Sequence, residues 1–484
     1  MVIKVLYLLT LAITSSQLKI YNYFYLLLFL MSEKVHFIAI GGSAMHNLAL
    51  ALAQKGHQVT GSDDEIFEPS RTRLANANLL PAEMGWFPDK IDKSYDAIIV
   101  GMHARKDNPE IVKARELEIP VYSYPEYIYA QSIDKQRVVI GGSHGKTTIT
   151  AMIMHVLKYN NRKFDFMVGA QVEGFDVMVK LSDDSAMIIL EGDEYPASPL
   201  APKPKFLYYK HHIALISGIA WDHINAYPTE NDYVRQFDKL ADATPKGGAL
   251  VFNDDDHLAH IICQREREDV LQVPYSTHPH KIINGKTFLE TSKGQVYIEV
   301  FGEHNLKNLA GAKSVCMRLN VTEIEFYNAI SSFRGAANRL ELLAQNAQTI
   351  VYKDFAHAPS KLKATTRAVK KQFPERKLIA CMELHTFSSL NKEFLRQYKD
   401  SFAAADVAVV YFNPQTVAHK NLESISFEDI KQGFNDTNLV IFDDSEKLKE
   451  YLLAQNWTNK NLLLMSSGNY NNINTKELSM KIVG

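Results

Sequence analysis

The sequence predicts a layered α/β protein built as successive parallel-sheet units, and three observations lead there. Short apolar runs alternate with segments of helical period along nearly the whole chain, the pattern of strands joined by crossover helices. The runs gather in three groups. Two of these groups open on a strand that runs straight into a glycine turn and a helix: "VHFIAIGGSAM" from Val35 and "RVVIGGSHGKTT" from Arg137.

The bulk numbers bound the reading. At 484 residues the chain should hold two to four domains, with three the natural division. Hydrophobic content of 46% and charged content of 22% are those of an ordinary globular protein. Net charge is −2, from 53 basic and 55 acidic residues, with no basic tail or stripe, so no nucleic-acid partner is expected. Cys263, Cys316 and Cys381 are far apart and lack any Cys-x-x-Cys. That argues against a disulfide framework and a zinc site, and fits a reducing cytoplasm.

Residues 1–30 stand apart, as a leader or a misassigned start. "MVIKVLYLLTLAITSSQ" resembles a signal peptide, and "YNYFYLLLFL" adds a second apolar run. Each is well short of the ~20 residues that span a bilayer, so no stable membrane span is expected. "MSEKVHFIAIGG" then reads as a fresh start, with Met31 as the functional first residue.

The elements follow in order. "VHFIAI", "HQVTGSD", "DAIIVGM" and "PVYSY" give a first domain over 31–130, and "YPEYIYAQSIDKQ" reads as a hinge. "RVVIGG", "AMIILEGDE", "IALISGIA" and "ALVFNDD" give a second over 131–342. "TIVYKDFAH", "KLIACMEL", "DVAVVYF", "LVIFDD" and "LLLMSS" give a third over 343–484.

The second glycine turn carries the most chemistry. Gly142, Ser143, His144, Gly145, Lys146, Thr147 and Thr148 join a buried strand to a helix. Loop N–H groups and the positive end of the helix suit phosphate. Lys146 would reach the terminal phosphates and the Thr147 hydroxyl would ligate magnesium. Ile140 stands where the usual spacing has its first glycine, and Gly141 gives a loop one residue shorter.

Glu191, Gly192, Asp193 and Glu194 end another apolar strand, where carboxylates meet the ligand crevice and suit magnesium; a solvated acidic loop is the plain alternative. Asp222 and His223 end a third strand, though a single His is more often structural. Asn305 and Asn308 in "FGEHNLKNLAGA" suit an adenine edge, or equally the caps of a helix. Arg339 suits phosphate, and Asp354 and His357 follow a strand at a ligand-binding edge.

The first turn, Gly41, Gly42, Ser43, Ala44 and Met45, with Asp63 about twenty residues on, is similar to a dinucleotide fingerprint but lacks Gly-x-Gly-x-x-Gly. It still predicts a phosphate on a helix N-terminus.

In order and spacing, "IGGSAM", "GGSHGKTT", "EGDEY", Asp222–His223, "GEHNLKN", "FRGAANRLE" and "DFAHAPS" resemble the Mur ligase family of ATP-dependent peptidoglycan amide synthetases. The resemblance implies a Rossmann-like N-terminal domain for a UDP-sugar, a central P-loop ATPase-type domain and a Rossmann-like C-terminal domain for the amine. It implies the UDP diphosphate on the first turn and ATP on the second. Lys146 would sit on the ATP phosphates, Thr147 and Glu191 around Mg2+, and His223 near a second metal. Asn305 and Asn308 would lie near adenine, Arg339 on phosphate, and Asp354 on the ATP ribose or phosphate. The chain departs from the family at Asn338, Ala358 and Ala44.

Within the family, "EGDEY", "DFAHAPSKLKAT" and "LLLMSSGNYNNI" look most like the murein-recycling branch. The expected reaction joins the tripeptide L-alanyl-γ-D-glutamyl-meso-diaminopimelate to UDP-N-acetylmuramate through an acyl phosphate, releasing ADP. L-alanine is the alternative amine. An NAD-dependent dehydrogenase would use the first turn but leave Lys146 and Glu191 idle. An ATP-driven binding module would need no second substrate domain.

Overall fold

The computed structural model describes residues 32–102, 104–198, 201–222, 226–335 and 339–484. The chain divides into two compact units. One comprises Met1–Gln131 with Val179–Asp183 and Ala197–Pro202, and the other comprises Ser132–Met178, Asp184–Pro196 and Lys203–Gly484. Residues 1–30 and the expected start at Met31 lie outside the described residues.

In the first unit β1 (Lys34–Ile38), β2 (Gln58–Ser62), β3 (Ala97–Val100) and β4 (Val121–Ser123) form a parallel sheet in the order β2-β1-β3-β4. Helix α1 (Ser43–Lys55) crosses from β1 to β2 and ends on Gly56 in the left-handed conformation. Ile38, Ile98, Val100 and Ile111 pack together in its core. Strand order reverses between β2 and β3 on either side of β1, so the turn after β1 lies at the sheet's ligand crevice.

The stretch read as a hinge is not one throughout. Tyr124–Ala130 is a helix, closed at its start by a capping box in which Ser123 and Glu126 satisfy each other's backbone N–H groups. The unit boundary falls just after it.

The second unit opens with β5 (Gln136–Gly141) and α2 (Lys146–Tyr159), followed by β6 (Asp165–Met167), β7 (Met187–Glu191), β8 (Ile213–Ile216), β9 (Ala249–Asn253) and β10 (Leu271–Tyr275). Their sheet order is β10-β9-β8-β5-β7-β6. Strand β5 is central, with β8 and β7 parallel on its two sides. Val138, Ile140, Ile149, Ile153 and Leu215 are fully buried around it.

A three-stranded antiparallel sheet follows, which sequence periodicity did not anticipate: β11 (His280–Ile283), β12 (Lys286–Thr291) and β13 (Gly294–Ile298). Its first turn is Asn284-Gly285, both with positive φ, the pairing a tight hairpin turn requires. Helix α3 (Glu303–Arg318) then packs against α2.

The remaining strands are β14 (Glu341–Gln345), β15 (Thr349–Asp354), β16 (Lys377–Leu384), β17 (Val407–Phe412), β18 (Val440–Phe442) and β19 (Lys460–Met465), with α4 (Pro359–Gln372) after β15. The sheet runs β14-β15-β19-β16-β17-β18, with β14 antiparallel and the rest parallel. It is buried on both faces. Ala380 and Met382 join one apolar cluster and Ile379 and Cys381 the other, the period-two alternation of a strand. Every apolar run grouped from the sequence is a strand here.

Candidate active site

The carboxyl end of β5 has the geometry that could hold an anion. Gly142 takes φ 132° and Gly145 φ 82°, conformations costly to any residue with a Cβ. A Cβ on Gly142 would overlap the Ser217 hydroxyl, and one on Gly145 the Asn308 amide. The two glycines therefore let the loop lie flat against β8 and α3. Helix α2 begins at Lys146, so its first N–H groups have no intrahelical partner and face the loop.

Lys146 Nζ donates to the Gly142 carbonyl and to Glu194 Oε2, both at 2.6 Å. Burial works against its ammonium, but Glu194, Asp193 and Glu191 outweigh burial and hold its pKa above the ordinary value. The Thr147 hydroxyl donates to Glu191 Oε1 at 2.8 Å, and the Gly169 N–H donates to Glu191 Oε2 at 2.7 Å. Asp193 pairs with Lys205 at 2.7 Å. Tyr233 donates to Glu194 Oε1 at 3.0 Å and shares a hydrogen bond with Ser143 at 2.7 Å. Glu194 is thus fixed while it aims Lys146.

A cavity of about 380 Å³ opens over this loop. Of the predicted residues it brings together Ser143 through Thr148, Glu191, Asn305, Asn308, Arg339 and Asp354. Gly142 forms the loop's base rather than the cavity wall. Asn305 and Asn308 are buried on the first turns of α3, whose cap is Gly302 with no side-chain bond, so neither Asn caps the helix. Arg339 stacks on Phe355 at 4.6 Å from the ring centre. Asp354 accepts the Leu340 N–H at 2.6 Å; burial raises its pKa while the Arg339 charge opposes that.

His144 and His304 also line the cavity, and the Nδ1 atom of each is buried without a partner among the described residues. Burial pushes both imidazoles down to about 4, with Lys361 and Lys146 adding to the effect at His144. His357 does not line the cavity. Its Nδ1 contacts the Phe355 carbonyl at 2.9 Å, and burial lowers it to about 4. His223 and Asn338 lie outside the described residues, so the expected second-metal position is not described.

Sequence reasoning missed several contributions. Glu194 was read only as part of an acidic stretch suited to magnesium, not as the partner of Lys146, and the cavity-lining Asn253, inside the run "ALVFNDD", and Asp256, just past it, were given no role. Asn253 donates to the Ser217 carbonyl at 3.1 Å, and Asp256 accepts from the Ile219 N–H at 3.2 Å. Both brace the β8 turn behind the loop.

The first turn is differently made. The Gly41 N–H donates to Asp63 Oδ2 at 2.7 Å, so Asp63 closes the turn. Burial raises the Asp63 pKa, with the Gly41 hydrogen bond opposing. Gly42 precedes α1 with no side-chain cap; Ser43 and Ala44 are exposed in its first turn, and Met45 is buried.

A strand, a shortened glycine loop, a clamped lysine and a carboxylate on the loop threonine gather at one cavity on a layered α/β frame. Three sequence profiles match in succession between residues 34 and 468. They are described as the Mur ligase family catalytic domain over residues 34–134, the Mur ligase middle domain over 140–316, and the Mur ligase glutamate ligase domain over 338–468. The chain belongs to the Mur ligase family and is an ATP-dependent ligase that forms carbon–nitrogen bonds.

Among its relatives is the UDP-N-acetylmuramate–L-alanine ligase of Persephonella marina, 29% identical over 453 residues, which cover 90% of this chain and 94% of that one. Another, of the same name from Clostridium kluyveri, is 30% identical over 385 residues, covering 76% and 81%. In fold the chain is similar to the UDP-N-acetylmuramate-alanine ligase of Thermotoga maritima, with TM-score 0.67, 20% identity and coverage of 93% and 98%. It is also similar to a murein peptide ligase of Psychrobacter arcticus, with TM-score 0.61, 20% identity and coverage of 94% and 99%.

These findings correct one expectation. The sequence resemblance pointed to the tripeptide-adding, murein-recycling branch. The curated relatives that align over most of the chain are L-alanine ligases instead. The murein peptide ligase likeness is one of fold.

Proposed function

We propose that this chain is an ADP-forming ligase that joins the lactyl carboxylate of UDP-N-acetylmuramate to L-alanine, a step of peptidoglycan precursor synthesis in the cytoplasm. The observation that carries the activity is Lys146, held charged by Glu194 over a loop whose helix N–H groups are open. The relatives named above support the choice of amine.

The residues present fit the nucleotide and its metal. The unpartnered His144 and His304 nitrogens offer polar contacts inside the cavity, and Asn305 and Asn308 offer both donors and acceptors beside them. The Thr147 hydroxyl and Glu191 carboxylate form the adjacent oxygen pair that magnesium prefers, and His223 stands as a further ligand candidate. Magnesium bound there supplies charge neutralisation of the phosphates. Arg339 and Asp354 would contact phosphate and ribose from the far wall. Gly41, Gly42, Ser43, Ala44 and Met45 would seat the UDP diphosphate on the α1 N-terminus, with Asp63 shaping the turn.

The chemistry is then positioning plus positive charge. The substrate carboxylate oxygen bonds to the γ-phosphorus as the bond to the bridging oxygen breaks, and ADP leaves with that electron pair. The amine attacks the resulting acyl phosphate and inorganic phosphate departs. Lys146 holds the phosphoryl through the transfer.

ADP release with UDP-N-acetylmuramate against a panel of amines tests this reading. L-alanine should give the highest kcat/KM, with glycine lower by ~10–200-fold, the range one methylene allows. A higher kcat/KM for the murein tripeptide than for L-alanine would overturn the choice of amine, and absence of ADP release with any amine would overturn the ligase.

A further inference from the structure

We propose that Lys361, carried on α4, is a further catalytic residue that grips the terminal phosphoryl group from the wall opposite Lys146; this rests on reading the cavity as the ATP site. Helix α4 starts at Pro359, preceded by Ala358 in extended conformation, so Lys361 stands in its first turn. Lys361, Ala364, Thr365, Ala368 and Lys371 recur at helical spacing and line the cavity as one face. The middle of that face is small. Its long cations stand towards the ends.

Lys361 makes no hydrogen bond and no ion pair among the described residues. It is half-buried, and burial lowers its pKa from the ordinary lysine value. Asp222 and Glu194 oppose that shift, whereas Lys146 and Arg339 add to it. His144 faces it too and feels its charge. An ammonium kept from water among other cations is costly unless an anion joins it. A polyphosphate entering beside Lys146 would be that anion.

Lys361 lines the same cavity as Lys146, Thr147 and Glu191, the groups after β5 and β7 read as holding the reacting phosphate. The charges it feels are those of Asp222, Lys146, Arg339 and Glu194. That company assigns Lys361 to the terminal phosphoryl. As the carboxylate oxygen bonds to the γ-phosphorus and the bridging oxygen departs with its electron pair on ADP, Lys146 and Lys361 hold the non-bridging oxygens from two sides. Neither lysine gives up a proton.

The test is calorimetry on the full chain with ADP and with the non-hydrolysable β,γ-imido analogue of ATP, alongside steady-state turnover. Lys361→Met should bind ADP like the parent, bind the analogue ~10–100-fold more weakly, and lose about 100-fold in kcat. Lys361→Arg should recover most of the analogue affinity. Equal weakening of both nucleotides, or no change in either, would overturn the assignment. Lys146→Ala is the control on the site itself: if it binds both nucleotides like the parent, the ATP reading fails whatever Lys361→Met does. Should Lys361→Met not fold, amine acylation of the parent gives the same information. The analogue should protect Lys361 and ADP should not, whereas equal labelling in the two complexes would count against the proposal.

Discussion

In the turn after β1, the Ala39 and Ile40 amides donate to the Ser62 carbonyl and the Gly41 amide donates to Asp63. The turn satisfies itself, and what remains for a ligand is the start of α1, with Ser43 and Ala44 exposed. The nearest ring, His46, is spent on the Gly42 carbonyl and Ser70, both at 3.0 Å. In the turn after β5, a long cation, a hydroxyl and two carboxylates converge on the same kind of helix start. On the proposed reading, one strand–turn–helix plan serves two purposes. A dipole alone can hold a diphosphate that does not react. Moving a phosphoryl group needs mobile charge and metal-binding oxygens as well.

The largest expected effect falls on the second turn. Lys146→Ala should cost ~100-fold or more in turnover by removing a preorganised charge, and should also lower the melting temperature because the buried Glu194 carboxylate loses its cation. Near-parent turnover would mean that the loop does not hold the reacting phosphate. Gly142→Ala comes next. Its φ of 132° and the overlap with Ser217 should cost about 1–3 kcal/mol of stability, read as a shift in denaturant midpoint together with weaker ADP binding.

Asp63→Ala should be milder. Loss of the part-buried Gly41 hydrogen bond should cost ~0.5–1.5 kcal/mol and weaken UDP-sugar binding while leaving ADP affinity unchanged. A matched loss of ADP affinity would break the distinction between the turns.

The smallest effect is on pH. Burial keeps His144 and His304 neutral down to about 4, against an ordinary 6.5. The unfolded chain takes up these protons below about 6.5 and the folded chain only near 4, so stability should fall as pH drops through that window. Melts of His304→Gln should show a shallower decline between those limits than the parent. An unchanged slope would remove His304 from the account.

The legible part of the fold was what depends on local pattern. The apolar runs such as "RVVIGG" and "KLIACMEL" are strands because each is buried in a parallel sheet. The antiparallel sheet was missed although Asn284-Gly285 is a hairpin signal, since His280–Ile298 alternates only weakly between apolar and polar residues. The turn proposed to hold phosphate was legible as a strand–turn–helix junction because its residues are contiguous from Gly142 to Thr147. Glu194 was read only as a carboxylate suited to magnesium and Lys361 was given no part in the nucleotide site, because their relation to Lys146 arises only when separate segments meet.

The choice of amine was misread for a physical reason. Of the stretch "EGDEY", Glu191 and Glu194 are taken by Thr147 and Lys146, and Asp193 by Lys205. The "MSSGNY" turn is held by Ser466 and the Tyr470 N–H on Glu383, and by the Tyr470 hydroxyl on the Cys381 and Met465 carbonyls. Those side chains are engaged at the loop after β5 and within the sheet, in contacts that do not distinguish one amine from another.

The two-turn account is tested most directly by calorimetry with both nucleotides on one chain. Protein saturated with ADP should still take up one equivalent of UDP-N-acetylmuramate. Lys146→Ala should weaken ADP alone, and Asp63→Ala should weaken the UDP-sugar alone. Displacement of ADP by the UDP-sugar, or loss of both ligands from either variant, would contradict the assignment of separate phosphates to the separate turns.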